Sequence, residues 1–70
     1  MGKLIEFSLN GQKYYGKGKF SIYNLLAYFN YDNSLLVLEY NHSICDKKNW
    51  NIIFIQNEDK LELVTIVGGG

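Results

Sequence analysis

The sequence predicts an α+β domain: one sheet of about five strands with one main helix packed on one face. Three observations predict it. Apolar and polar residues alternate at the start of the chain, a single helical period follows, and short apolar runs separated by polar turns fill the rest. One helix cannot cover two sheets, so the natural packing is a single sheet with the helix on one side.

Ile5, Phe7 and Leu9 alternate with Glu6 and Ser8, so residues 3–9 read as a half-buried strand. Asn10-Gly11 follows, a hairpin signal because both central residues of a type I′ turn need positive φ. Residues 12–15 form the return strand, and Gly16-Lys17-Gly18-Lys19 reads as a loop that lacks the spacing of a phosphate-binding motif. Ser21 suits an N-cap. Ile22, Leu25, Leu26 and Phe29 then fall on one helical face, and Phe20 and Leu25 take the positions of a hydrophobic staple. Asn30, Asp32, Asn33 and Ser34 favour a turn that ends the helix near Asn30. Residues 35–40 are a third strand, apolar enough to be partly covered on both faces. Asn41-His42 suits a turn, and Asp46 caps a short helical turn that runs to Trp50. Residues 52–55 read as a short fourth strand, 56–60 as a polar turn and 61–67 as the fifth strand. The expected order is strand, strand, helix, strand, short helix, strand, strand.

Composition narrows the function. Seventy residues make one small domain, which buries only about 60% of its unfolded surface. A deep catalytic cleft does not fit beside a complete core, so a binding module or carrier is expected rather than an enzyme. The net charge is zero and arginine is absent, so nucleic acid is not an expected partner. No apolar run is long enough to span a bilayer, and no membrane partner is expected. The lone Cys45 rules out an internal disulfide and fits a reducing compartment. Asn, Ile, Lys, Tyr and Phe are abundant and Pro is missing, the bias of an AT-rich genome. A plastid stroma or a bacterial cytoplasm is the expected location.

No catalytic set is visible. His42 and Cys45 are two possible ligands, short of the three or four that a zinc site takes, and a Cys–His nucleophile needs a third group to orient it. A turn histidine and a partly buried thiol are the expected readings. The group with a clear chemical use is at the end of the sequence. Residues 61–67 lead directly into Gly68-Gly69-Gly70. Residues 1–67 are expected to form the domain, with 68–70 a flexible glycine tail able to thread a narrow channel in a partner. The α-carboxyl of Gly70 is ionised at neutral pH, its ordinary pKa being about 3.3–3.7. A carboxylate becomes an acyl donor once it is joined to a leaving group, as in an acyl-adenylate made from ATP.

Two stretches carry a resemblance. Glu62-Leu63-Val64-Thr65-Ile66-Val67-Gly68-Gly69-Gly70 resembles the terminal strand and tail of the ThiS family, the sulfur carriers of thiamine biosynthesis. Asn41, Ile44 and Trp50 fall where that family has Asn, Ile and Trp in the pattern N-x-x-I-V-P-R-x-x-W. Cys45, Asp46 and Lys47 depart from its Val-Pro-Arg stretch, and Glu58 stands where a turn glycine is common. The resemblance implies a β-grasp, ubiquitin-like fold with the first and last strands parallel and central. It implies a protein co-substrate with no catalysis or bound cofactor of its own. By the same resemblance Gly70 would be adenylated by a ThiF-type adenylyltransferase that uses ATP, take sulfur from a cysteine persulfide donor, and deliver it as a thiocarboxylate to the thiazole synthase ThiG. Gly68 and Gly69 are then the threaded residues. Strand alternation groups Glu62, Val64 and Ile66 on one face, the expected docking surface for partners. Three other readings are the small subunit of molybdopterin synthase, a lysine-conjugated modifier, and a β-grasp interaction domain with an inert tail.

Overall fold

The computed structural model describes residues 3–31 and 36–65, Thr65 by its backbone alone. Its elements are β1 (Leu4–Leu9), β2 (Gln12–Lys17), α1 (Ile22–Tyr28), β3 (Leu36–Tyr40), β4 (Ser43–Cys45), a 3-10 turn (Lys47–Asn49) and β5 (Asp59–Thr65). The five strands form one mixed sheet in the order β2-β1-β5-β3-β4. The first and last strands are its inner neighbours and run parallel. Every other pairing is antiparallel.

Both hairpins turn on two residues. Asn10 and Gly11 have φ of 52° and 81° between the paired Leu9 and Gln12. Asn41 and His42 have φ of 50° and 74° between the paired Tyr40 and Ser43. Positive φ at both central positions gives the turn whose twist matches that of the strands it joins. The second hairpin corrects the expected order of elements. Ser43–Cys45 is the strand beside β3, and residues 52–55 are not a strand. Phe54 makes only an isolated bridge to Ser21. The backbone there serves the start of the helix instead. Ile53 O accepts from Ile22 N at 3.0 Å, and Ile55 N donates to Phe20 O at 2.9 Å. With β4 already on the free edge of β3, that apolar run is used to anchor α1.

Gly16 and Lys17 also belong to β2 rather than to a loop. Gly16 pairs with Ile5 in the ladder, and the ring of Phe20 lies where a side chain at 16 would stand. A Cβ there would meet Phe20 Cζ at 2.7 Å. The glycine is a packing device, not a break.

The helix follows its sequence signals closely. Ser21 Oγ accepts from Asn24 N at 3.0 Å, and Asn24 Oδ1 accepts from Ser21 N at 3.0 Å, a reciprocal capping box. Ile22, Leu25 and Leu26 are buried. Asn30 follows in the left-handed region with φ of 62°, donating to Ala27 O at 3.1 Å, which closes the helix. The buried face meets Phe7 and Leu9 from β1, Leu36 and Leu38 from β3, Leu61 from β5, and the detached Trp50 and Ile55. Each such large side chain contributes about 1.5–3 kcal/mol by leaving water.

A polar cluster fixes the entry to β5. Asp59 is 7% exposed. Its carboxylate accepts from Tyr40 Oη, from Asn41 Nδ2 at 3.0 Å and from Gln56 N at 2.7 Å. Asn41 also brackets Lys60, accepting Lys60 N on Oδ1 at 2.8 Å and donating its own N–H to Lys60 O at 2.8 Å. Just before β5, Glu58 has φ of 70°, a conformation in which a Cβ is crowded.

Two predictions follow from this entry. Glu58→Gly should raise stability by about 0.5–1 kcal/mol. The Cβ penalty of about 1–2 kcal/mol in the left-handed region exceeds the extra freedom that glycine has when unfolded. A higher urea midpoint at unchanged m would verify it. The second concerns pH. Burial first, and then the hydrogen bond to Asp59, push the Tyr40 phenol above its ordinary range. A raised folded-state value means the neutral phenol stabilises the fold below the unfolded pKa of about 10, and that this contribution is lost as pH rises beyond it. Tyr40→Phe should cost about 1 kcal/mol at neutral pH and lose less stability than the parent in alkali. Urea unfolding at a series of pH values separates the two effects.

Candidate functional site

The functional residues expected from sequence lie on β5 and beyond it. Leu61 and Leu63 turn toward the helix, Leu61 fully buried and Leu63 packed against the core. Glu62 and Val64 stand on the opposite, open face, Val64 being 59% exposed. Ile66, Gly68, Gly69 and Gly70 lie outside the described residues.

The register shows what surrounds Glu62 and Val64. Val64 pairs with Val37 and Glu62 with Glu39 across β5–β3, and Glu39 pairs with Ile44 across β3–β4. Ile44 is 72% exposed. The open face thus carries apolar side chains at Val37, Val64 and Ile44 around two carboxylates. Glu39 and Glu62 sit directly opposite each other, an arrangement that costs free energy in a sheet. Among the described residues neither meets a cation within ion-pair distance; the ion pair found there joins Lys13 Nζ to Glu6 Oε2 at 3.3 Å. An apolar patch set around uncompensated carboxylates is chemically suited to a surface that presents apolar groups and a Lys or Arg.

Val37, Glu39 and Ile44 join this surface, although the sequence assigns none of them a docking role. The signal for Glu39 was available, because a lone charge in Leu36-Val37-Leu38-Glu39-Tyr40 marks the wet face of a strand. Ile44 needed β4, which the sequence hides in three residues.

His42 and Cys45 do not form a reactive pair. His42 is the exposed second residue of the β3–β4 turn. Cys45 points to the core side of β4 and packs against it. Burial first, and then the Asp46 carboxylate, push its thiol up, which lowers the thiolate fraction that nucleophilic attack requires. Among the described residues, no three of His, Cys, Asp or Glu gather where they could hold a metal ion. The arrangement can bind; the described residues hold no set of groups placed to do bond-making chemistry.

Comparison with known proteins agrees with this geometry. The family model described as "ThiS family" matches residues 7–70. An uncharacterized protein ycf40 from Trieres chinensis is 58% identical over 64 residues, covering 91% of this chain and 88% of its own. The ycf40 protein of Porphyra purpurea is 29% identical over 70 residues, covering 100% of this chain and 99% of its own. The crystal structure of the thiamine biosynthesis protein ThiS from Geobacter metallireducens superposes with a TM-score of 0.80. It covers 94% of this chain and all of that one at 17% identity, a likeness of fold. With a β-grasp sheet whose first and last strands are parallel and central, and a match that runs through the three glycines, the chain belongs to the ThiS family.

Proposed function

We propose that this protein is a sulfur carrier, a co-substrate whose Gly70 carboxylate is activated and loaded by partner enzymes. The observation that carries the reading is the family match through residue 70, on a chain whose sequence runs from the central strand β5 on to those glycines and whose Glu62 and Val64 are exposed. A ThiF-type adenylyltransferase would join the carboxylate to the α-phosphorus of ATP with loss of pyrophosphate. The terminal sulfur of a cysteine persulfide would then attack the acyl carbon and expel AMP. A second thiol would attack the cysteine sulfur of the resulting acyl disulfide, forming a new disulfide with it and releasing Gly70 as a thiocarboxylate. ThiG would take that sulfur for the thiazole ring of thiamine. Glycine suits each step because no side chain crowds the acyl carbon and the backbone can fit a narrow channel. Ordering each tail residue costs about 1–2 kcal/mol, so the globular face has to supply the docking energy. Glu62, Val64 and Ile66 are assigned that docking role, with Gly68 and Gly69 threaded into the partner. The relatives bear a ycf designation, a naming given to genes of plastid genomes, which supports a plastid stroma as the place of action.

Mass spectrometry of the protein isolated from its own cells tests the chemistry. Exchange of one oxygen for one sulfur at the C-terminus is expected. A lysine conjugate would indicate a modifier instead, and an unaltered acid an inert tail. Deleting Gly69 and Gly70 should leave thermal unfolding nearly unchanged and abolish ATP-dependent adenylation; a truncated protein that is still adenylated contradicts the assignment. Val64→Asp should weaken binding to the cognate ThiF-type enzyme by more than about 1 kcal/mol while the fold persists, as loss of an interface anchor does. A calorimetric titration beside a thermal melt decides it, and unchanged affinity would move the docking surface elsewhere.

A further inference from the structure

The sheet has a second exposed feature, on the helix side and away from β5. Strand β2 is an edge strand. Gly18 N donates to Lys3 O at 3.3 Å, which sets the phase of the β1–β2 ladder. By antiparallel alternation, Gly16 and Tyr14 then face β1, while Lys13, Tyr15 and Lys17 turn their N–H and C=O groups outward. Among the described residues no strand pairs with those groups, which form a template for one more strand.

Beside this edge runs a groove of about 530 Å³ between β2 and α1. Its walls include Tyr14, Lys17, Phe20, Tyr28 and Phe29, with Gly16 on the strand side. The rings hold one another in place. Tyr14 and Phe29 meet edge-to-face at 5.1 Å, Phe7 and Phe20 at 5.8 Å, and Tyr28 and Phe29 at 5.3 Å. Such a groove needs little rearrangement to receive a side chain. Tyr28 is 81% exposed at its rim.

Charge selects the occupant. From Gly11 to Tyr31 the chain has Lys13, Lys17 and Lys19 and no acidic residue; Lys13 is shared with Glu6 of β1 and Lys19 Nζ lies 4.7 Å over the Phe54 ring, so Lys17 is the cation that lines the groove. Pairing β2 with β2 of a second copy would bring these lysines against their equivalents, so self-association is disfavoured. Lysine on an edge strand can serve solely to prevent aggregation. That purpose accounts for Lys13 and Lys17 but not for an aromatic groove left open beside them.

We propose that the β2–α1 groove binds an extended, acidic peptide segment of a partner protein by strand addition. The incoming strand pairs with the outward groups of Lys13, Tyr15 and Lys17. Its alternate apolar side chains enter the groove against Tyr14, Tyr28 and Phe29, and its acidic residues meet Lys17. The groove is opposite the face that carries Glu62 and Val64; the Lys13 and Lys17 side chains stand on that face at its far edge, two strands from β5, which leaves room for both surfaces to be occupied. The inference stands independently of the sulfur-carrier reading.

The test is a nitrogen-15 NMR titration of the whole protein with a blocked octapeptide. The peptide has a central Val-Ile-Val-Ile run and two acidic residues at each end. Saturable shifts at the amides of residues 13–17, with changes in the Tyr28 and Phe29 rings, are expected. A matching peptide with lysines at both ends should bind about tenfold more weakly or worse. Tyr28→Ala, at an exposed position, should weaken binding roughly fivefold while the protein still melts cooperatively, with at most the small loss of stability expected from removing its edge-to-face contact with Phe29. The proposal is overturned by an absence of shifts at millimolar peptide, by equal binding of the lysine-ended peptide, or by shifts confined to other elements. It is also overturned if the same amides shift with protein concentration alone, since a second copy would then be the occupant.

Discussion

The structure depends on how β5 is held in the middle of the sheet. Its parallel ladder with β1 covers only three residue pairs, Phe7–Asp59 to Leu9–Leu61. Two asparagine side chains extend it. Asn57 Oδ1 accepts from Glu6 N at 2.9 Å before the ladder begins, where Glu58 N also donates to Glu6 O at 2.6 Å. Asn10 continues it at the other end, donating its N–H to Leu61 O at 2.9 Å and accepting Leu63 N on Oδ1 at 2.7 Å. Asn41 does the same work from the β3 side at Lys60. Each bond is worth only about 0.5–1.5 kcal/mol net, yet a central strand with unpaired backbone groups would lose more than that at every position. Asparagine suits these places for a second reason, since Asn10 and Asn41 also occupy left-handed turn positions that most residues avoid.

Fixing β5 in this way gives the sheet one covered face and one open face. Leu61 anchors the strand to the helix, so alternation leaves Glu62 and Val64 in water. The pairing of Glu39 with Glu62 is a local cost that the fold does not need. Its persistence beside exposed Val64 and Ile44 is easier to understand as a feature of binding than of stability. A domain this small can build one core, and here the core takes only the helix side of the sheet. The open face is left available, and so is the margin where the helix stops short of β2.

Much of this fold is legible in the sequence, because it is written in local rules. Asn10-Gly11, the Ser21 cap and the Ile22-Leu25-Leu26 face each have a short-range cause, and each stands where its pattern puts it. Reading failed where the cause was tertiary. Residues 52–55 have the composition of a strand, but the edge they would have joined is filled by Ser43–Cys45. Gly16 looks like a loop glycine until Phe20 is seen lying on it. The acceptor roles of Asn10, Asn41 and Asn57 require knowing which strands are neighbours. Of the candidate site, Glu62 and Val64 follow from alternation together with the charge at Glu62, which marks the wet face, whereas Glu39 and Ile44 join them only through cross-strand register.

The departures from the family pattern show how one geometry is reached by different chemistry. Where the family has Val-Pro-Arg, this chain has Cys45-Asp46-Lys47 and so lacks the proline that would preset the backbone. Asp46 supplies a cap in its place. Its Oδ1 accepts from Lys48 N at 3.3 Å, and its backbone carbonyl accepts from Asn49 N at 2.9 Å. The 3-10 turn that results carries Trp50 into the core, where Nε1 donates to Cys45 O at 3.1 Å and ties the turn back to its own start. Tyr23 N donates to Trp50 O at 2.9 Å, so the same turn also holds the first turn of the helix. A change at 45–47 is therefore tolerated so long as something other than proline fixes the path to Trp50. The tryptophan side chain itself is constrained by its burial in the core and by the Nε1 bond that fastens it to the edge hairpin, whereas the bond to the helix uses only its backbone carbonyl.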